Sequence, residues 1–200
     1  MDRRSLSGKD LLLALLYCPG SSMEINEPII GRTKLTKMIY LFEKEIYKEF
    51  DDNLSIVLPK FEPYNYGPFS RELFEDLKFF LSIGLVKTEE TLVPISSADK
   101  YEFYIDLDEN IEDEWSSATF EECNEDVELK YLLSDGGVKY VQDKIWNIFS
   151  EQQRIVLKAF KRQINSISLD SLLNYVYNKY PDDTVKSLIS NKYLGKDTTK

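Results

Sequence analysis

The chain has 200 residues, with 35 Asp and Glu against 25 Lys and Arg for a formal net charge of -10, and it contains no His. Apolar residues make up 42% and charged residues 30%, with 8 Gly and 7 Pro, which excludes collagen-like, low-complexity and disordered classes and leaves material for a sizeable core. The missing imidazole excludes His general bases, Ser-His and Cys-His nucleophile pairs and every His-ligated metal site. Cys18 and Cys123 lack CxxC spacing and are too few for a disulfide framework, so both read as thiols in a reducing compartment. Arg3, Arg4 and Lys9 ahead of the apolar run Leu11 to Cys18 imitate a signal peptide, but the run is short, Asp10 abuts it and no A-x-A-like site follows. No other apolar stretch approaches the ~20 residues that span a bilayer. The expectation is a cytoplasmic protein with no membrane contact.

In chain order, Ser7 to Tyr17 predicts a short helix capped by Ser5 or Ser7 and stopped by Pro19-Gly20. After a loop holding Pro28, Gly31 opens a second helix to about Phe50, with Leu35, Met38, Ile39, Phe42 and Ile46 on its core face. Lys34, Lys37, Lys44 and Lys48 fall within about a quarter of its circumference, a basic side opposite an apolar one. Ile56 to Phe61 reads as a short β-type stretch leading to the turn Tyr64-Asn65-Tyr66-Gly67-Pro68. A third helix starts at Phe69 or Ser70, buries Phe69, Leu73, Leu77, Phe80 and Leu81, and ends at Gly84. Leu85 to Lys87 then reads as a strand.

From Glu89 to Leu129 there are 15 acidic residues and one basic residue, Lys100, so this stretch carries -14 and the rest of the chain +4. Tyr101 to Asp106 alternates like a strand, and Ile111, Trp115 and Phe120 are apolar anchors within it. Lys130 to Leu133 resumes as a strand, Ser134 caps a turn, and a helix follows with Val138, Val141, Ile145, Trp146 and Phe149; Gly136-Gly137 reads as part of the turn. Ser150 caps a helix through Ile164, Ser168 another through Lys179, and Pro181 begins a weaker last one. Three helices followed by strands predict a mainly α (α+β) fold: a winged-helix-like domain over residues 1–149 with an acidic wing insertion at 89–129, and a C-terminal helical extension over 150–200 packed on it.

Two stretches carry a family resemblance. Lys34-Leu35-Thr36-Lys37-Met38-Ile39-Tyr40-Leu41, followed by Phe61-Glu62-Pro63-Tyr64-Asn65-Tyr66-Gly67-Pro68-Phe69-Ser70-Arg71-Glu72-Leu73, resembles the YwgA-like group of uncharacterised prokaryotic proteins. It is similar, at greater distance, to the SocA-like Panacea antitoxin domain, with its K-L-x-K helix and later Y-G-P turn. Leu169 and the run Leu172 to Pro181 resemble the C-terminal helix of the YwgA-like group. The resemblance implies a helical domain that neutralises a partner toxin by direct binding.

The chemistry the residues can support is limited. Asp106/Asp108 and Glu112/Asp113/Glu114 are oxygen-rich enough for a divalent cation, but no Gly completes a calcium loop, so they read as a solvated acidic surface. GxxxxGK[ST] and GxGxxG are absent. No enzyme activity, metal or cofactor is expected; a divalent-metal carboxylate hydrolase is the enzymatic alternative. The outward positions of the third helix include Arg71, Glu72, Glu75 and Lys78, a nearly balanced set where a DNA-reading helix would be basic. Nucleic acid or another anion would instead meet Arg32 with Lys34, Lys37, Lys44 and Lys48, or the set Arg154, Lys158, Lys161 and Arg162. Tyr and Arg favour protein interfaces, which singles out Tyr64, Tyr66, Arg71, Tyr175 and Tyr177, although Tyr64 and Tyr66 equally suit packing under the third helix. The leading expectation is an antitoxin-like regulatory module binding a toxin or other basic protein, with homodimerisation open. A winged-helix transcriptional regulator binding DNA is the alternative.

Overall fold

The computed structural model of the chain describes residues 4–50, 54–91 and 128–193. The strand and apolar anchors expected between Tyr101 and Phe120, the acidic pairs there and Cys123 lie outside these residues. Helix α1 (Gly8–Tyr17) starts on a capping box: the Ser7 hydroxyl accepts the Asp10 N–H, and the Asp10 carboxylate accepts the Ser7 N–H at 2.8 Å. Leu11, Leu12, Leu13, Leu15 and Leu16 are all buried, so α1 is apolar around its circumference and runs through the middle of the core.

The second helix departs from expectation. Helix α2 (Arg32–Leu41) is followed by a π-helical turn at Phe42–Ile46 and a 3₁₀ turn at Tyr47–Glu49, so the run to Phe50 is not one regular helix. In the widened turn the Tyr47 N–H bonds the Phe42 carbonyl, and the carboxylates of Glu43 and Glu45 are re-aimed relative to α-helical positions.

Among the described residues three small sheets flank the helices. β1 (Arg4–Ser7) lies parallel to β3 (Leu54–Val57), so the expected stretch Ile56 to Phe61 begins earlier and ends at Val57. β4 (Glu62–Tyr64) and β5 (Gly67–Phe69) form a hairpin around Asn65-Tyr66. The third sheet has the order β2 (Ile29–Ile30), β7 (Glu128–Leu133), β6 (Val86–Thr91), with β7 antiparallel to both neighbours. Val86 faces Leu133 and Thr91 faces Glu128, so Glu89, Glu90, Glu128 and Leu129 belong to a regular ladder and the acidic stretch is entered and left at one end of a strand pair. Asn26, in the left-handed region at φ 59, locks onto this sheet: its side chain donates to the Leu133 carbonyl and accepts the Leu133 N–H.

Helix α3 (Arg71–Ser82) is capped by Ser70 and ends before Gly84, which turns at φ 71. Helix α4 (Asp135–Lys144) is capped by Ser134, so Gly136 and Gly137 form its first turn instead of a loop. The reason is steric: a Cβ on Gly137 would overlap the Leu85 carbonyl, which the sheet presses against α4. Helices α5 (Glu151–Ser166) and α6 (Leu169–Lys179) begin at the expected caps Ser150 and Ser168. Pro181–Thr184 is a 3₁₀ turn, and α7 (Ser190–Tyr193) is one turn long. One buried cluster joins Leu12, Met38, Leu77 and Leu133 to Leu157 and Leu172, so residues on both sides of position 150 share a core. The described chain is mainly helical with small sheets, and no helix among the described residues is long and apolar enough to cross a membrane.

Candidate functional site

The two separated stretches of the resemblance meet in space around α2. Lys37, 2% exposed, sends its ammonium to the Pro68 carbonyl at 2.9 Å, tying the helix to the hairpin turn. Gly67 sits at φ 79 against α6, where an added Cβ would lie 3.3 Å from the Tyr177 ring and 3.5 Å from Thr184. The Tyr177 hydroxyl lies 2.5 Å from the Ser187 hydroxyl, which donates to the Asn65 carbonyl at 3.0 Å. The Leu188 N–H reaches the same carbonyl at 2.9 Å. The Tyr-Gly-Pro turn is therefore the surface on which the C-terminal segment is seated.

One turn along, two carboxylate hubs join α2 and the π-helical turn to the same C-terminal segment, Glu45 from the π-helical turn and Asp183 from the C-terminal segment. Glu45 Oε1 accepts from Tyr175, Tyr180 and Lys179 at 2.8, 2.8 and 2.9 Å. The Lys179 ammonium also donates to the Tyr175 hydroxyl at 2.5 Å. Burial alone would raise the Glu45 carboxyl, yet the three donors hold it below the usual carboxylate range. Asp183 Oδ2 accepts from the Tyr40 hydroxyl at 2.6 Å and pairs with Lys44 at 2.9 Å. Those donors likewise keep Asp183 low against its burial, while burial and the nearby Asp183 charge push the Tyr40 hydroxyl far up. Burial raises the neighbouring Glu43. Tyr180 lies edge-on to Tyr40 at 5.5 Å, with the Lys44 and Lys179 ammoniums 5.9 and 5.7 Å from its ring centre.

A third knot lies on the far side of the core. Lys161, fully buried, donates to the carbonyls of Leu16, Cys18 and Glu27 at 3.0, 2.8 and 2.7 Å. Two of these carbonyls end α1, so the lysine of α5 supplies the cation that a helix C-terminus favours. Burial pushes the ammonium down to about 8 and the adjacent Cys18 thiol up to about 11. Burial of Glu27 is outweighed by hydrogen bonds from Ser22 and Asn165, which bring its carboxyl down to about 2.

These placements correct several expected surface roles. Tyr177 is fully buried and Tyr66 is 7% exposed, so neither can present its ring to a partner; both pack the turn and the C-terminal segment. Lys34 and Lys37 are buried, with the Lys34 ammonium on the Ile167 carbonyl at 2.7 Å, and Lys161 is buried in its knot, so the expected basic stripes are broken up. The physical reason is that α2 is covered on both sides, and long lysine stems cross apolar surface to reach backbone carbonyls. Lys44 is engaged with Asp183, and Arg154 donates to the Trp146 carbonyl at 3.0 Å and stacks on the Trp146 ring. Arg32 lies over the Phe74 ring at 4.9 Å. Tyr64 is half-buried against Phe69. Arg71, Tyr175, Lys48, Lys158 and Arg162 are exposed, and these no longer form one patch with the buried lysines.

Glu45, Asp183, Asn26 and Ser187 escaped the sequence reading because their partners are remote in the chain. Phe79 and Ile83 carry no signal of their own because the apolar periodicity of α3 marks its core face, Leu73, Leu77 and Phe80. Among the described residues no group of three or more His, Cys, Asp or Glu is placed to hold a metal ion. No family model, curated protein or solved structure matches the chain.

Proposed function

We propose that this chain is an antitoxin-like interaction module that binds a partner protein without catalysing a reaction. The order α1, β2, α2, α3, β6, β7, with β7 between β2 and β6, supports a winged-helix-like body in which α3 occupies the recognition position and β6 and β7, which bracket the acidic stretch in sequence, form the wing. The observation that carries the reading is the outward side of α3 and its C-cap, where Glu72, Glu75, Phe79 and Ile83 are exposed. Carboxylates there repel phosphate, and exposed Phe and Ile suit a protein surface. The lysines of the resembling helix motif serve the fold itself, since Lys34 and Lys37 both end on backbone carbonyls. The -14 of the stretch from Glu89 to Leu129 adds a field that speeds encounter with a basic partner.

Affinity purification of the full chain from its native cells tests the reading. A stoichiometric protein partner is expected. Recovery of the chain alone, together with specific binding to its own promoter DNA that weakens steeply with salt, overturns it. That second outcome belongs to the alternative of a DNA-binding regulator, which Arg71 at the first position of α3 and Arg32 and Lys78 around Phe74 favour.

A further inference from the structure

We propose that the exposed face of α3 docks a cationic amphipathic segment of the partner, with Phe79 and Ile83 as apolar anchors and Glu72 and Glu75 as its charge-matching end. The proposal rests on the protein-binding reading above and names the surface and the partner chemistry. From Glu72, the offsets of 3, 7 and 11 residues place Glu75, Phe79 and Ile83 within about a quarter of the helix circumference, along roughly 16 Å of its length. Leu73, Leu77 and Phe80 face the core about a third of a turn further round, with buried Asp76 between them and the stripe.

Phe79 and Ile83 are 50% and 51% exposed and stand one turn apart, the spacing at which two apolar residues grip a groove or helix. Glu72 and Glu75 are exposed and enter no ion pair among the described residues. Their charges also act on Asp76, whose carboxyl burial pushes up against the pull of Lys9. On one flank of the stripe Lys9 is committed to Asp76 at 3.1 Å and lies 5.9 Å from the Phe79 ring centre, while on the other flank stand exposed Arg71 and half-buried Lys78, the latter 4.7 Å from the Phe74 ring centre. The stripe itself thus carries two carboxylates at its N-terminal end and two apolar side chains at its C-terminal end. A partner helix bearing Lys or Arg two turns from a pair of Leu or Phe residues matches both parts. A duplex does not, because its phosphates would meet the two carboxylates.

The test uses the full chain and a fluorescein-labelled amphipathic Leu/Lys peptide of about five turns, with the Leu/Glu peptide of the same pattern as its counterpart. Fluorescence anisotropy at near-physiological salt is expected to show the Leu/Lys peptide binding and the Leu/Glu peptide not. The double variant F79A/I83A should weaken binding at least about tenfold, as loss of central anchors does. E72K/E75K should weaken the Leu/Lys peptide comparably and admit the Leu/Glu peptide. Val185, exposed elsewhere, supplies the control V185A, which should bind as the parent does. Thermal melting confirms that these surface variants fold.

Equal binding of both peptides, or undiminished binding by F79A/I83A and E72K/E75K, overturns the proposal by placing the cation on other acidic parts of the chain. Dissociation of a chain dimer by F79A/I83A, or displacement of the peptide by duplex DNA, overturns it in favour of self-association or nucleic acid. If a native partner is recovered equally well by the parent and by F79A/I83A, this face falls while the partner-binding reading stands. If no native partner exists, that reading falls by itself.

Discussion

Replacing Lys161 with Met keeps an unbranched stem of similar volume in the core and deletes the ammonium that joins the end of α1, the loop at Glu27 and α5. Three buried carbonyls, those of Leu16, Cys18 and Glu27, lose their donor. An unsatisfied buried polar group costs about 1–3 kcal/mol, and removal of a costly buried charge offsets part of the sum, so the expected net loss is about 3 kcal/mol. For a chain of this length that corresponds to a drop of about 6–12 °C in Tm. Urea unfolding should show the midpoint falling with the slope unchanged.

The pH dependence separates the charge from the packing. The folded pKa of Lys161, near 8, lies below the value of 10.5 for an unhindered lysine, so between these pH values the unfolded chain holds more protons than the folded one. Stability contributed by this group therefore rises from pH 8 to pH 10.5 and is lost as pH falls back through 8. The gap between the parent and Lys161→Met should widen over that window by up to about 3 kcal/mol. A loss below about 1 kcal/mol at neutral pH, or a gap that narrows as pH rises above 8, refutes the role assigned to Lys161.

Gly67→Ala should destabilise by about 1–2 kcal/mol, since it forces a side chain into φ 79 and against the Tyr177 ring; an unchanged melting temperature would contradict the seating of the C-terminal segment on this turn. Thr33→Val should leave stability unchanged or raise it by about 1 kcal/mol in denaturant titration, because the buried Thr33 hydroxyl has no hydrogen-bond partner among the described residues. Glu45→Gln should cost about 1 kcal/mol, given the partial exposure of the hub. Its parent's folded carboxyl titrates below the ordinary value, so the parent's advantage is complete above the unfolded pKa and disappears as acid takes pH down through the folded one; an advantage independent of pH between 2 and 6 (roughly the span of carboxylate titration) contradicts the hub.

Local chemistry was readable from sequence where it acts over a few residues. Ser7, Ser70, Ser134, Ser150 and Ser168 all cap helices, because a hydroxyl and the N–H three residues on meet without help from the rest of the fold. The strand pair flanking the acidic stretch was also visible, though its ladder runs further into the acidic residues than composition suggested. What failed is what depends on the second side of an element. Helical periodicity places Lys34 and Lys37 on a common face of α2, but it cannot tell that the Tyr-Gly-Pro hairpin and the C-terminal helices cover that face. The same blindness hid Phe79 and Ile83. Strands of two to four residues, such as Ile29–Ile30 and Arg4–Ser7, carry too little pattern to be seen, and the latter pairs with a segment about fifty residues away. The hubs at Glu45 and Asp183 join residues more than a hundred positions apart, so no local signal announces them.

Partner binding through exposed protein-like surface is tested most directly by photo-crosslinking in native cells, with benzoylphenylalanine placed at Tyr175 or Phe79, both exposed, and at buried Tyr177 as control. One protein adduct of defined mass from an exposed position, and none from position 177, is the expected result. Adducts to nucleic acid, or no adduct from either exposed position, would contradict it.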